Sequence, residues 1–194
     1  MEHYFSPGQS SPSREREFTC ILAGRSFTFV SAAGTFAKYR VDPATRLLIE
    51  SVSFPPDVRI LDLGCGIGII GIAMARLFGA EVIMTEVNER AARLAGQNAK
   101  LNRVKARVLA GDLYAPVPGK FDAILVNPPM AAGRETCYRI IDEAPAHLCE
   151  GGRLVLVARH AKGGTMLSRR MQERFGNCET LASKGGFRVY CATV

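Results

Sequence analysis

The chain has 194 residues, 47% of them hydrophobic and 22% charged, the profile of a soluble globular protein with one domain rather than two. No apolar run approaches the ~20 residues that a membrane-spanning helix needs, and the polar start MEHYFSPGQSSPSRERE lacks the apolar segment of a secretory leader; a cytoplasmic protein with no membrane partner is expected. The net charge of +7 favours a polyanionic partner, RNA or DNA. Six cysteines form no CxxC pair and three histidines (His3, His147, His160) show no zinc spacing, so reduced thiols and no metal are expected.

Residues 1–16, rich in Pro, Gly, Ser and charge, read as a flexible tail. EFTCILAGRSFTFV (17–30) contains two β-prone runs split by Ala-Gly-Arg, a hairpin pattern. SAAGTFAKYRVD (31–42) reads as a loop. PATRLLIESV (43–52) opens on Asp42-Pro43 and carries apolar residues at helical spacing. Residues 17–52 are expected to pack as a hairpin and helix on a core of residues 53–194.

From residue 58 strands and helices alternate. VRILDL (58–63), EVIMTE (81–86), KARVLAGD (105–112), FDAILVN (121–127) and RLVLVARH (153–160) read as strands. Between and after them, residues 66–79, 88–102, 134–152 and 164–176 read as helices, with Pro145 set to kink or divide the third. CETLASKGGFRVYCATV (178–194) closes the chain as a hairpin around Lys-Gly-Gly. The expected fold is α/β: a Rossmann-like, seven-stranded, mostly parallel sheet with an antiparallel C-terminal hairpin, helices on both faces and a small N-terminal β-hairpin extension.

Ligands of such sheets lie beyond the carboxyl ends of the strands. The first strand runs into LDLGCGIG, with Gly64, Gly66 and Gly68 around Cys65. This is G-x-G-x-G rather than the dinucleotide G-x-G-x-x-G, and Asp62 would repel a pyrophosphate but suits a cationic ligand. The second strand ends in Glu86, before Val87, where a carboxylate can accept both hydroxyls of a ribose. The third ends in GDLY, where Asp112 can accept from an adenine amino group with Leu113 against the ring. An adenosine without phosphate but with a charged amino-acid tail fits this set, and S-adenosylmethionine is such a molecule.

At the end of the fourth strand stands Asn-Pro-Pro-Met (127–130). The Asn127 amide oxygen and the Pro128 carbonyl are two acceptors. Together they can hold the hydrogens of an –NH₂ group and aim its nitrogen at a methyl donor, while the prolines, Pro128 and Pro129, stiffen the loop.

Residues 58–194 resemble the class I S-adenosylmethionine-dependent methyltransferases through LDLGCGIG, a Glu ending the second strand and a Gly-Asp ending the third. NPPM resembles the (Asn/Asp/Ser)-Pro-Pro-(aromatic) motif of amino-group methyltransferases, with Met130 in the aromatic position. AAGTFAKYRVDPATRLLIESV (32–52) and KGGFRVYCA (184–192) resemble the small-domain methyltransferases typified by bacterial ribosomal RNA guanine-N2 methyltransferases. That resemblance implies methyl transfer to guanine N2 of ribosomal RNA. It places Thr35, Phe36 and Asp42 in the cofactor pocket, with Thr45 and Arg46 nearby. Those enzymes typically carry a second N-terminal domain of similar fold, so this chain resembles a stand-alone catalytic form, monomer or homodimer. Arg134, Arg159 and Lys162 follow strand ends and are expected to rim the mouth and contact RNA phosphates; His160 is a weaker candidate for a proton acceptor. Methylation of a protein glutamine, which presents the same –NH₂, and a silent cofactor-binding assembly factor are the rival readings. The basic balance and KGGFRVY favour RNA over the first, and an intact Asn127 stands against the second.

Overall fold

The structure is a computed structural model that describes residues 15–32 and 39–194. Two strands, β1 (Arg16–Leu22) and β2 (Arg25–Ser31), pair antiparallel across Ala23 and Gly24. Both turn residues have positive φ, the backbone a two-residue hairpin needs to match strand twist. β1 begins inside the segment expected to be a tail, and Glu15 ion-pairs with Arg93. Helix α1 (Pro43–Ser51) follows, capped by the Asp42 side chain.

The remaining elements are β3 (Arg59–Leu63), α2 (Ile69–Phe78), β4 (Glu81–Glu86), α3 (Glu89–Leu101), β5 (Ala106–Ala110) and β6 (Phe121–Val126), then α4 (Arg134–Glu143), β7 (Leu148–Arg159), α5 (Thr165–Phe175), β8 (Glu179–Lys184) and β9 (Phe187–Thr193). They build a seven-stranded sheet in the order β5-β4-β3-β6-β7-β9-β8. Strands β3 to β7 run parallel and β9 returns antiparallel to β7. The strand order reverses between β3 and β6. Alternation along each strand divides the core: Ile60, Leu125 and Val155 face α1, α2 and α3, while Leu61, Ile124 and Leu154 face α4 and α5. The closing hairpin turns on Gly185 and Gly186, both at positive φ.

One boundary is corrected. Residues 148–152 are strand, not the end of a helix: Pro145 sits in a 3-10 turn (Ala144–His147), and β7 starts directly after it. Leu148 pairs with Phe121, and a bulge follows before Arg153 pairs with Ala123. Gly152 lies so close to the Cys149 and Phe121 carbonyls that a Cβ would stand 2.8 and 3.0 Å from them, so the bulge requires glycine there.

Among the described residues the two-stranded hairpin shares no ladder with the main sheet. Its outer edge, β2, is covered by α3 instead. Val30 N donates to Asn98 Oδ1 at 2.7 Å and Asn98 Nδ2 donates back to Val30 O at 3.0 Å. Four residues on, Asn102 repeats the exchange with Thr28 at 3.2 and 2.7 Å. Two side-chain amides on one helix face thus stand in for a partner strand. Asn98 Nδ2 also donates to Ile67 O at 3.0 Å, tying β2 to the glycine turn after β3.

Candidate active site

A cavity of about 280 Å³ opens at the carboxyl ends of β3, β4, β5 and β6, at the point where the strand order reverses. Each strand contributes the residues that immediately follow it. Gly64, Cys65 and Gly66 come from β3, Glu86 and Val87 from β4, Asp112 and Leu113 from beyond β5, and Asn127, Pro128 and Pro129 from β6. Asp42 and Thr45 reach the wall from the start of α1, and Thr136 and Ile140 from α4.

The glycine turn is held by a carboxylate. Glu86 Oε2 accepts from Gly66 N at 2.8 Å and Oε1 from Asn88 N at 2.9 Å. Val87 N is a third backbone donor to this carboxylate, and the acceptor capacity that remains is open to a hydroxyl donor. Burial pushes the Glu86 carboxyl up, and these backbone donors partly offset it. Gly64 and Gly66 adopt positive φ on the wall. Gly68, off the wall, also has positive φ, and a Cβ there would stand 3.1–3.2 Å from Ile72, Ala95 and Met84, so it lets α2 pack closely as well.

Asp62 lies behind this wall. It is fully buried, stands off the cavity wall, and accepts from Gly71 N in the first turn of α2 at 2.8 Å. Among the described residues its other oxygen has no hydrogen-bond partner, nor has the hydroxyl of Thr85, which lines the cavity from the neighbouring strand β4. Burial pushes the Asp62 carboxyl up to about 7, the Gly71 hydrogen bond opposes this, and Glu86 adds to the rise.

Beyond β5, Asp112 is exposed, and its Oδ2 accepts from Arg139 Nη1 at 3.0 Å. Leu113 is buried on the wall with φ of 45°, a left-handed conformation that a leucine adopts only when its surroundings hold it there.

Asn127 is the best-fixed polar group. Its Nδ2 donates to Thr45 Oγ1 at 3.0 Å and to Asp42 Oδ2 at 3.3 Å. Both amide hydrogens are therefore spent on α1, and Oδ1 is the end left to accept. The Pro128 carbonyl accepts from Met130 N at 2.9 Å and retains one lone pair.

Other expected residues fall elsewhere. Thr35 and Phe36 lie outside the described residues. Arg46 turns away, donating to Ile21 O of the hairpin and pairing with Glu50. Arg134 is exposed in a shallow surface depression with Tyr138, Arg139 and Asp142, separate from the cavity. Arg159 stacks over Phe187 at 4.7 Å, and His160 Nδ1 lies 2.8 Å from the Tyr190 hydroxyl, off the cavity wall. Met130 is 38% exposed at the rim and packs so closely on Gly163 that a Cβ there would lie 2.3 Å from its methyl. That contact sets the 160–164 turn, with exposed Lys162, beside the Asn-Pro-Pro loop.

The donor set states what the cavity can hold. Among the described residues its wall carries three carboxylates (Asp42, Glu86, Asp112) and no Lys, Arg or His. Such a wall disfavours phosphate and fits a ligand with positive charge and hydroxyl donors, as S-adenosylmethionine is.

Comparison with known proteins agrees. A match to the family described as methyltransferase small domain spans residues 26–191. The chain belongs to the methyltransferase small domain family. By fold and family it is a class I S-adenosylmethionine-dependent methyltransferase. The methyltransferase is 34% identical over 193 residues to YbxB of Bacillus subtilis, an uncharacterized protein, spanning 97% of this chain and 96% of that one. It is 36% identical over 166 residues to ribosomal RNA small subunit methyltransferase C of Hamiltonella defensa, covering 83% of this chain and 48% of that protein. Among solved structures, the T. thermophilus 16S rRNA N2 methyltransferase in complex with AdoMet and guanosine matches with a TM-score of 0.83 at 27% identity, over 94% of this chain and 51% of that one. The methyltransferase thus spans about half the length of these two relatives. No helix among the described residues is long and apolar enough to cross a membrane.

The raised Asp62 carboxyl has a consequence for stability. Its folded value of about 7 exceeds the ~3.9 of an unfolded Asp, so the folded state binds the extra proton between these limits. The stabilising contribution is full below pH ~4 and is lost as pH rises toward 7. Asp62→Asn, which retains an acceptor for Gly71 N, is expected to gain stability relative to the parent across that window. Urea unfolding of both proteins at pH 5 and pH 8 checks this: the difference should be larger at pH 8.

Proposed function

We propose that this methyltransferase modifies an exocyclic amino group of RNA, with guanine N2 of ribosomal RNA as the target. The observation that carries the reading is the tethered Asn127 amide, whose oxygen is the end left to accept at the end of β6. The ribosomal RNA relatives support the choice of substrate, and the net charge of +7 suits a polyanion.

S-adenosylmethionine supplies an electrophilic methyl group on a sulfonium. The chain's own residues supply position and charge. The Asn127 oxygen and the free lone pair of Pro128 O accept the hydrogens of the target –NH₂. Held by them, the nitrogen presents its lone pair to the donor, and the acceptors stabilise the positive charge that grows on it. No strong base is needed beforehand, because the proton leaves once the nitrogen has become cationic. Glu86 serves the ribose hydroxyls and Asp112 the adenine, with Leu113 against the ring, while Gly64 and Gly66 let the backbone come close. Met130, an unbranched thioether at the fourth position of the motif that Asn-Pro-Pro-Met resembles, offers the base a soft, polarizable surface.

Incubation with tritiated S-adenosylmethionine and, separately, RNA and protein from cells lacking the enzyme tests this. Label recovered as N2-methylguanosine is the expected result. Label in glutamine, or none in either fraction despite bound cofactor, overturns it. Arg159 and Lys162 are proposed to meet phosphates flanking the target. Replacing both by Glu should weaken RNA binding about tenfold or more and lower the slope of log Kd against log salt by about 2, as measured by filter binding across a salt series.

A further inference from the structure

An asparagine amide is two-ended, and a half-turn about its last side-chain bond exchanges donor for acceptor. The two prolines after Asn127 fix the backbone but leave that turn free. Two contacts remove the freedom. Nδ2 donates to Thr45 Oγ1 at 3.0 Å and to Asp42 Oδ2 at 3.3 Å. Both acceptors stand at the start of α1, 82 and 85 residues away in sequence. Asp42 Oδ2 is also the helix N-cap, accepting from Ala44 N at 3.0 Å and Thr45 N at 3.1 Å. Thr45 is itself buried, at 6% exposure. Turned over, the amide would set its oxygen against a carboxylate oxygen and strand both hydrogens away from α1.

We propose that Asp42 and Thr45 are positioning residues that set the polarity of Asn127, making it an acceptor toward the cavity. The site then selects targets that present N–H and rejects those that present a lone pair at the same place. The same cap that starts α1 thereby sets the chemistry at the end of β6. The geometric part stands alone; the selectivity rests on the amino-transfer reading given above.

Thr45→Val removes one of the two acceptors at nearly constant volume, and Thr45→Ser restores it. Three quantities are measured: the Asn127 side-chain amide resonances in ¹⁵N-labelled protein, assigned by their loss in Asn127→Asp; the S-adenosylmethionine Kd by calorimetry; and kcat. In Thr45→Val the resonances should shift and kcat should fall about tenfold or more, with Kd changed less than about threefold. Thr45→Ser should return both toward the parent values. Unmoved resonances, a Thr45→Ser protein as impaired as Thr45→Val, or a Kd that rises in step with the loss of kcat would overturn the proposal. Should the parent transfer no methyl to RNA or protein, the reaction reading falls, and the resonances alone decide the clamp: a shift upholds it and no shift overturns it.

Discussion

Asn127→Ala should lower kcat by about 10²–10³-fold while leaving the S-adenosylmethionine Kd within about threefold. The split follows from position. The side chain is held by α1 and not by the glycine turn, so its loss leaves Gly66, Glu86 and Asn88 in their mutual hydrogen bonds. What disappears is the acceptor for the nucleophile, a group whose contribution grows as charge develops. Single-turnover kinetics and calorimetry on the same preparation separate the two quantities. Asn127→Asp keeps an oxygen but sets a second carboxylate against Asp42 Oδ2, and should be nearly as slow. A collapse of cofactor affinity in Asn127→Ala would move the residue from the reaction to the binding of the donor.

Asn98→Leu is expected to give the largest loss of stability. Asn98 is fully buried and makes three hydrogen bonds, from Val30 N and to Val30 O and Ile67 O. Leucine matches its size but strands three buried backbone groups, at about 1–3 kcal/mol each. A loss of at least about 3 kcal/mol is therefore expected, a large part of the stability of a domain this size. Urea unfolding should show a lower midpoint with an unchanged slope. Because Ile67 belongs to the glycine turn, cofactor affinity should fall as well, the reverse of the Asn127→Ala pattern.

Much of the fold was legible in the sequence because the apolar strands are short, regular and separated by helices with clear ends. Gly79 and Gly176 end α2 and α5 in the left-handed conformation, and Asp42 and Asn88 cap α1 and α3 through their side chains. The strand-end rule brought Gly64, Glu86, Asp112 and Asn127 together, and they line one cavity, because in a parallel sheet all strand ends point to one edge. Asp62, one residue earlier on β3, is buried behind the wall and accepts from Gly71 N in the first turn of α2. The rule does not extend to Arg134, since α4 turns that residue to a different face. Thr136 and Ile140 were missed because a helix wall leaves no local motif. The Asn98–Asn102 pair was missed for a related reason. A polar i, i+4 pair in a helix reads as solvated unless the strand it serves, 68 to 74 residues earlier, is known to lie against it.

The main sheet ends on β5 and β8, strands of five and six residues. Open strands of this kind are templates on which further chains can pair and aggregate. Here β5 shows an exposed Arg107 next to exposed Lys105, and β8 ends in exposed Glu179 and Lys184 with its register broken between Thr180 and Ala182. Shortness, charge and a bulge each deny a second copy a clean ladder. Part of the surplus of cations therefore stands at the sheet edges, away from the cavity, where it opposes edge-to-edge pairing of two copies.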